Sequence, residues 1–151
     1  MQTERLIERA GWVVRDEIQS FVITQSPMDF DSESLQGACG IASLLLNRVL
    51  RRLGVKSEFV MGCYKDDWGD ENHCWVEIPE LNRVVDITAT QFGVSDEVFI
   101  GEPTFPYMPR LRGRAATTRL RCWEGQSHVP YEPRLKEIED ICTFMIRRSE
   151  F

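Results

Sequence analysis

The hydrophobic period of this chain changes at Gly54, and that change limits the folds open to it. Before it, Leu6, Ile7, Ala10, Val13, Val14, Ile18, Phe21 and Val22 recur at the spacing of one helical face, with Glu and Arg opposite, which predicts a helix over 3–23. A second helix is predicted over 39–53, where IASLLLNRVLRRL is apolar nearly all round at first and then basic. Arg48, Arg51 and Arg52 suit its C-terminal end, and Gly54 is the natural residue just beyond it. After Gly54 come short runs rich in β-branched and aromatic residues: VKSEFVMGCY, HCWVEI and RVVDIT, read as strands. PELN joins the last two as a hairpin turn. A closing helix is predicted over 134–148, with Leu135, Ile138, Ile141, Cys142 and Met145 on its apolar face. This order describes an α+β domain with a mostly antiparallel sheet.

Between these elements the sequence is less regular. Residues 24–40 read as a polar loop that ends in a helix start. Residues 93–132 carry four prolines, four glycines and a locally basic set, Arg110, Arg112, Arg114, Arg119 and Arg121. They are expected to be irregular, with one further strand around Thr117 to Trp123. No repeat or linker interrupts the 151 residues, so 1–151 reads as one domain.

Composition excludes several classes. A net charge of -6 and the lack of a long Lys/Arg stripe argue against a nucleic-acid partner. The N-terminal residues are charged every few positions, and the longest apolar stretch, Ile41 to Leu46, is broken by Ser43. Neither a signal peptide nor a membrane span is expected. Five cysteines without a CxxC pair point away from a disulfide framework and towards a reducing compartment. The expected location is cytoplasmic, or secreted as an effector without a cleavable signal peptide.

A cysteine nucleophile needs a lowered thiol pKa, a base within reach and a group that orients the base. Gly37-Ala38-Cys39-Gly40 lies where the polar loop becomes a helix, so Cys39 sits at the positive end of the helix dipole. Its own amide is a candidate oxyanion donor. Only two histidines are present, and His73 opens the strand HCWVEI, which places His73, Trp75 and Glu77 on one face and Cys74, Val76 and Ile78 on the other. Asp86 lies among Val84, Val85 and Ile87, where a carboxylate is costly unless paired. A turn centred on Leu81 would set 77 against 85, and a shift of one or two residues brings Asp86 beside His73. Asp86 would then fix the imidazole tautomer.

A Cys at a helix start, then H-x-W-x-E, then V-D-x-T after a short turn resembles the core of the papain-like and transglutaminase-like superfamily. The match spans about residues 34–93, in the order Cys39, His73, Asp86. The resemblance implies a papain-like fold and an enzyme that works through a thioester, without cofactor or metal, on a protein or peptide substrate. Within it, DITATQF is similar to the dermonecrotic-toxin-type glutamine deamidases, which implies that Gln91 helps to form the oxyanion hole. Gln36, three residues before Cys39, competes for that role because papain-like enzymes use a glutamine upstream of the nucleophile. Trp75 is expected as a wall of the site. Side-chain deamidation is the expected reaction. The alternatives are a cysteine peptidase, a transglutaminase, or a binding module that retains the groove without catalysis.

Other residues read more plainly. Trp68 is taken as a loop aromatic near the site and Glu77 as a charged residue on the polar strand face. Asp66, Asp67, Asp70 and Glu71 form a solvated turn without calcium-loop spacing. Cys63, His73 and Cys74 lack the spacing of a zinc site. His128 falls in a Gly/Pro-rich segment and is expected to be exposed.

Overall fold

The computed structural model describes residues 2–25, 38–67, 69–124 and 132–150, with side chains throughout except at 22–25, 121–124, 132 and 150. The architecture is mixed α+β. Helix α1 spans Gln2–Gln25 and α2 spans Cys39–Arg52. Strands β1 (Glu58–Asp66), β2 (Gly69–Ile78), β3 (Arg83–Asp86), β4 (Phe99–Gly101) and β5 (Tyr107–Arg112) follow, then helices α3 (Gly113–Glu124) and α4 (Glu132–Glu150). The five strands form one sheet in the order β4-β3-β2-β1-β5, and every neighbouring pair is antiparallel.

Helix α2 is the centre of the core. Its Ile41, Ala42, Leu45, Leu46, Val49 and Leu50 pack in one cluster with Ile7, Val14 and Ile18 of α1, Leu135, Ile138 and Ile146 of α4, and Val76, Ile78 and Val85 of the sheet. It ends as its sequence predicts, with Gly54 at φ 86 and the Val55 amide donating to Leu50 O at 2.9 Å. The opposite face of the sheet carries a second layer, built from Val60, Tyr64, Trp75, Val84 and Tyr107. A third cluster joins Leu44, Phe59, Met61 and Cys74 to Ala116 and Leu120 of α3.

Several expectations change. The strand expected around Thr117 to Trp123 is helix α3. Its threonines suggested a strand, but Thr117 and Thr118 donate their hydroxyls back to Gly113 O and Arg114 O, four residues earlier, as helical threonines do. Ala116 and Leu120 give this helix its buried i, i+4 stripe. The stretch expected to be irregular holds β4 and β5 as well. In α4, Ile141 and Met145 are 43% and 40% exposed, because the stripe that meets α1 and α2 runs through Leu135, Ile138, Cys142 and Ile146. Arg15 of α1, assigned by its pattern to the polar face, is only 1% exposed. Strand β2 begins at Gly69, so Asp70 and Glu71 pair with Lys65 and Tyr64 rather than forming a solvated turn. Trp68, Gln36 and His128 lie outside the described residues, as does most of the loop before Cys39.

Gly62 shows how tightly the sheet is closed around the future site. It faces His73 across the β1–β2 ladder, at the point where the β1–β5 register shifts. A Cβ there would lie 2.2 Å from Met108 O, 2.8 Å from Pro109 Cα and 2.9 Å from the Trp75 ring. Two of these obstacles are backbone and cannot rotate away. Gly62→Ala is therefore expected to destabilise the fold by about 1–3 kcal/mol, the usual range for overpacking, read as a lower urea midpoint. An unchanged midpoint would show that β5 can move off β1 freely.

Candidate active site

Strand β3 is short, and its brevity creates the site. Its ladder with β2 pairs Ile78 with Arg83, Glu77 with Val84 and Val76 with Val85. The sequence-based register is corrected by one residue, since Pro79–Leu81 forms a 3-10 turn closed by Asn82 in the left-handed region at φ 52. Upstream of Val76, no described strand pairs with β2 on that side. The N-terminal turn of α2 fills the gap. Ser43 Oγ donates to Cys74 O at 3.0 Å, and Cys39 packs against the cluster that holds Cys74.

With that register, Asp86 falls diagonally across from His73 on the aromatic face of the sheet. His73 is 1% and Asp86 0% exposed. His73 Nε2 and Asp86 Oδ2 are 2.7 Å apart. The same Oδ2 accepts the Tyr107 hydroxyl at 2.8 Å, and Oδ1 accepts the Thr88 amide at 2.9 Å and the Thr88 hydroxyl at 3.3 Å. Arg15 secures the segment that follows by donating to Ile87 O and, at 3.5 Å, to Thr90 Oγ1. Gln91, in the 3-10 turn Ala89–Phe92, brings its Nε2 within 3.2 Å of His73 Nδ1 and 3.4 Å of Thr88 Oγ1.

The imidazole is walled by rings. Trp75 stacks on it at 5.8 Å and 29°, and Phe92 meets it edge-on at 4.8 Å. Phe92 in turn stacks on Tyr64 at 4.0 Å. Trp75 is fixed by its Nε1 donating to Glu77 Oε2 at 3.0 Å, while Arg112 donates to Glu77 Oε1 at 3.2 Å. Glu77 is therefore a buried, paired anchor and not a free charge on a polar face.

Cys39 opens α2 and is half-buried. Ala38 before it offers no side-chain cap to the first-turn amides. At Gly40 a Cβ would lie 2.6 Å from Leu120 Cδ1, so a larger residue there would have to push that side chain of α3 aside. The Cys39 thiol is held well below its usual pKa. A hydrogen bond from the Cys74 thiol has the largest effect, burial opposes it, and the hydrogen bond and charge of His73 add to it. His73 is pushed up to about 10: burial disfavours its charge, but Asp86 and the Cys39 thiolate outweigh that. Burial likewise opposes the charge on Asp86, and His73, Thr88 and Tyr107 hold its carboxyl below the ordinary range. The result is a thiolate, an imidazolium and a carboxylate in sequence.

The structure thus brings together Cys39, His73, Asp86, Gln91 and Trp75. Tyr107, Thr88, Tyr64 and Phe92 join them without having been singled out by sequence. Thr88 had a legible signal, because an Asp that accepts the amide two residues on is an Asx-turn pattern. Tyr107, in a proline-rich stretch 21 residues from Asp86, had none. Among the described residues, no group of three or more His, Cys, Asp or Glu side chains is arranged to hold a metal ion, and no helix is long and apolar enough to cross a membrane. No family model, curated protein or solved structure matches the chain.

The paired charges fix how stability depends on pH. In the unfolded chain the imidazole titrates near about 6.5 and the thiol near about 8.5. Below about 6.5 the unfolded state holds one proton more than the folded ion pair, so stability rises with pH. Between the two values both states hold one proton and stability is flat. Above about 8.5 the folded state holds the extra proton, and stability falls as His73 titrates near 10. Asp86, with its lowered pKa, adds a further loss in acid, as pH falls below about 3.9. Urea denaturation across pH 5–10 is expected to trace this plateau in wild type. In Cys39→Ala, the stability of the His73–Asp86 pair should be greatest below about pH 6.5 and decline above it. A wild-type maximum at pH 5 would mean that the thiolate–imidazolium pair does not form.

Proposed function

We propose that this protein is a cysteine-dependent amide hydrolase that deamidates glutamine side chains on a protein substrate, using Cys39, His73 and Asp86 as a triad on a papain-like or transglutaminase-like core. The observation that carries this reading is a buried imidazole bound to a carboxylate that accepts four hydrogen bonds, beside a half-buried thiol at a helix N-terminus whose pKa that imidazole lowers. A buried carboxylate held this completely suits the orienting role, because it stays ionised and keeps Nε2–H directed at itself. That leaves Nδ1 for the sulfur.

The chemistry follows from these positions. The Cys39 thiolate attacks the amide carbon of the substrate, and the carbonyl oxygen becomes an oxyanion. Gln91 is well placed for that moment. Its Nε2 lies 3.2 Å from His73 Nδ1; a protonated Nδ1 cannot accept from it, so while the imidazole is charged the Gln91 amide is free to donate to the oxyanion. The Cys39 backbone amide at the start of α2 is the second donor. His73 then gives its proton to the leaving nitrogen, ammonia departs, and a thioester remains. The neutral imidazole next takes a proton from water, whose attack yields glutamate and frees the thiolate. Trp75 and Phe92 keep bulk water off the other faces of the ring. A persistent thiolate suits reducing surroundings, which are those of the cytoplasm, either of the producing cell or of one into which the protein is delivered.

The test is ammonia release from a panel of glutamine-bearing proteins, together with the mass change of deamidation in their peptides. Cys39→Ala is expected to abolish both. Asp86→Asn should lower kcat by about 10³–10⁴, as for the orienting carboxylate of other triads. Gln91→Ala should lower kcat by about 10²–10³ with little change in KM, as for loss of one oxyanion donor. Cleaved backbones without deamidation would transfer the reading to a peptidase. Turnover that survives Cys39→Ala would sink it.

A further inference from the structure

We propose that Cys74 is the resolving partner of Cys39, so that peroxide converts the nucleophile into a Cys39–Cys74 disulfide and closes the site reversibly. The proposal rests on Cys39 being the reactive thiolate of the site described above, but not on which amide that thiolate attacks.

The placement of Cys74 is the argument. It lies on the helix-facing side of β2, buried in the cluster of Leu44, Phe59, Met61, Ala116 and Leu120, and Cys39 packs against that same cluster. Ser43, one turn along α2 from Cys39, holds the Cys74 carbonyl at 3.0 Å, which fixes the helix against this residue of the strand. Cys39 and Cys74 therefore share one packed cluster, and the Cys74 thiol and amide are among the groups that lower the Cys39 pKa. Packing alone does not explain a thiol here, since an apolar residue would fill the space without bringing an oxidisable group to the nucleophile.

The other described thiols are different. Cys63 is buried on β1 opposite Asn72, and Cys142 is buried in the helical cluster, where burial and the nearby Glu17 raise its pKa to about 12. Both serve as internal controls. The Cys74 thiol is itself raised, because it donates to Cys39 and is buried, so it stays protonated and Cys39 is the first sulfur to react.

The steps balance. The Cys39 thiolate attacks one peroxide oxygen; the O–O bond breaks and an S–O bond forms. The leaving hydroxide takes the His73 proton and departs as water. The Cys74 sulfur then displaces hydroxide from the Cys39 sulfenic acid, forming the S–S bond. The Cys74 proton leaves with that hydroxide as a second water. Two thiols lose two electrons and one peroxide gains them. The disulfide shields Cys39 from sulfinic acid, which most cells cannot reduce, and a dithiol reductant restores the site.

The experiment treats the reduced full chain with stoichiometric hydrogen peroxide, caps remaining thiols with N-ethylmaleimide, and maps peptides without reduction by mass spectrometry. The expected product is a single cross-link between the Cys39 and Cys74 peptides, reversed by dithiothreitol, with Cys63 and Cys142 capped. In Cys74→Ala, with folding checked by circular dichroism, Cys39 should proceed to sulfinic acid and not recover. Wild-type Cys39 oxidised to sulfinic acid while Cys74 is capped would overturn the proposal, whether or not the variant folds. No substrate enters this experiment. A cross-link in a protein without amidase activity would therefore refute the hydrolase reading alone, and the converse result would refute only the switch.

Discussion

The Asp86 carboxylate is the constraint on which the rest of the site depends. It is wholly buried at the end of a strand whose neighbours, Val84, Val85 and Ile87, are apolar. An ionised carboxylate is tolerated in such a place only if its lone pairs are occupied. Here His73, Tyr107 and both the amide and the hydroxyl of Thr88 occupy them. Each partner is fixed by a different element: His73 by β2, Tyr107 by β5, Thr88 by the turn leaving β3. A single charge thereby ties three parts of the sheet to one point. The same arrangement makes the imidazole basic, because the charge that must be neutralised is also the charge that holds the proton.

A second constraint is topological. Antiparallel strands of equal length would have satisfied the backbone of β2 along its whole edge. Because β3 stops at Asp86, the carbonyl of Cys74 faces α2 instead, and the helix supplies it with the hydroxyl of Ser43. A backbone group that would otherwise be orphaned thus ties α2 to the strand beside His73. Arg15, almost fully buried, keeps the strand from continuing by taking the Ile87 carbonyl that a longer ladder would have used.

How much of this was legible in the sequence follows from the range of each interaction. The helices and the hairpin were readable because their signals are local: the 3.6 period of α1 and α2, Gly54 beyond α2, and PELN between two β-rich runs. The elements that carry Cys39, His73 and Asp86 were readable because each has its own local signal. Helix α3 was missed because its two threonines favour strands in isolation, while the evidence for a helix lies in Leu44 and Met61, against which it packs. Arg15 and Glu77 were assigned to polar faces because charge alone suggests solvent. Their burial depends on Ile87, Arg112 and Trp75, which are brought near only by the tertiary fold. Tyr107 belongs to the same class, since nothing near it in sequence announces a carboxylate partner.

Charge alternates from the opening inwards: thiolate, imidazolium, carboxylate. The order has a physical sense. In the proposed enzyme the sulfur must meet substrate, and it is the half-buried member; the carboxylate must stay ionised, and it is the deepest and the best supplied with donors. The imidazole between them is held by aromatic faces and edges that accept no proton from it, and this confines its proton to the line joining the other two. Stabilising a thiolate in this way has a consequence of its own. The donors that keep Cys39 ionised, His73 and the thiol and amide of Cys74, also keep it nucleophilic towards any electrophile small enough to enter, and one of those donors is itself a sulfur. On the proposed reading, reactivity towards an amide carbon and vulnerability to a peroxide oxygen would arise from the same donors, so that neither could be strengthened without the other.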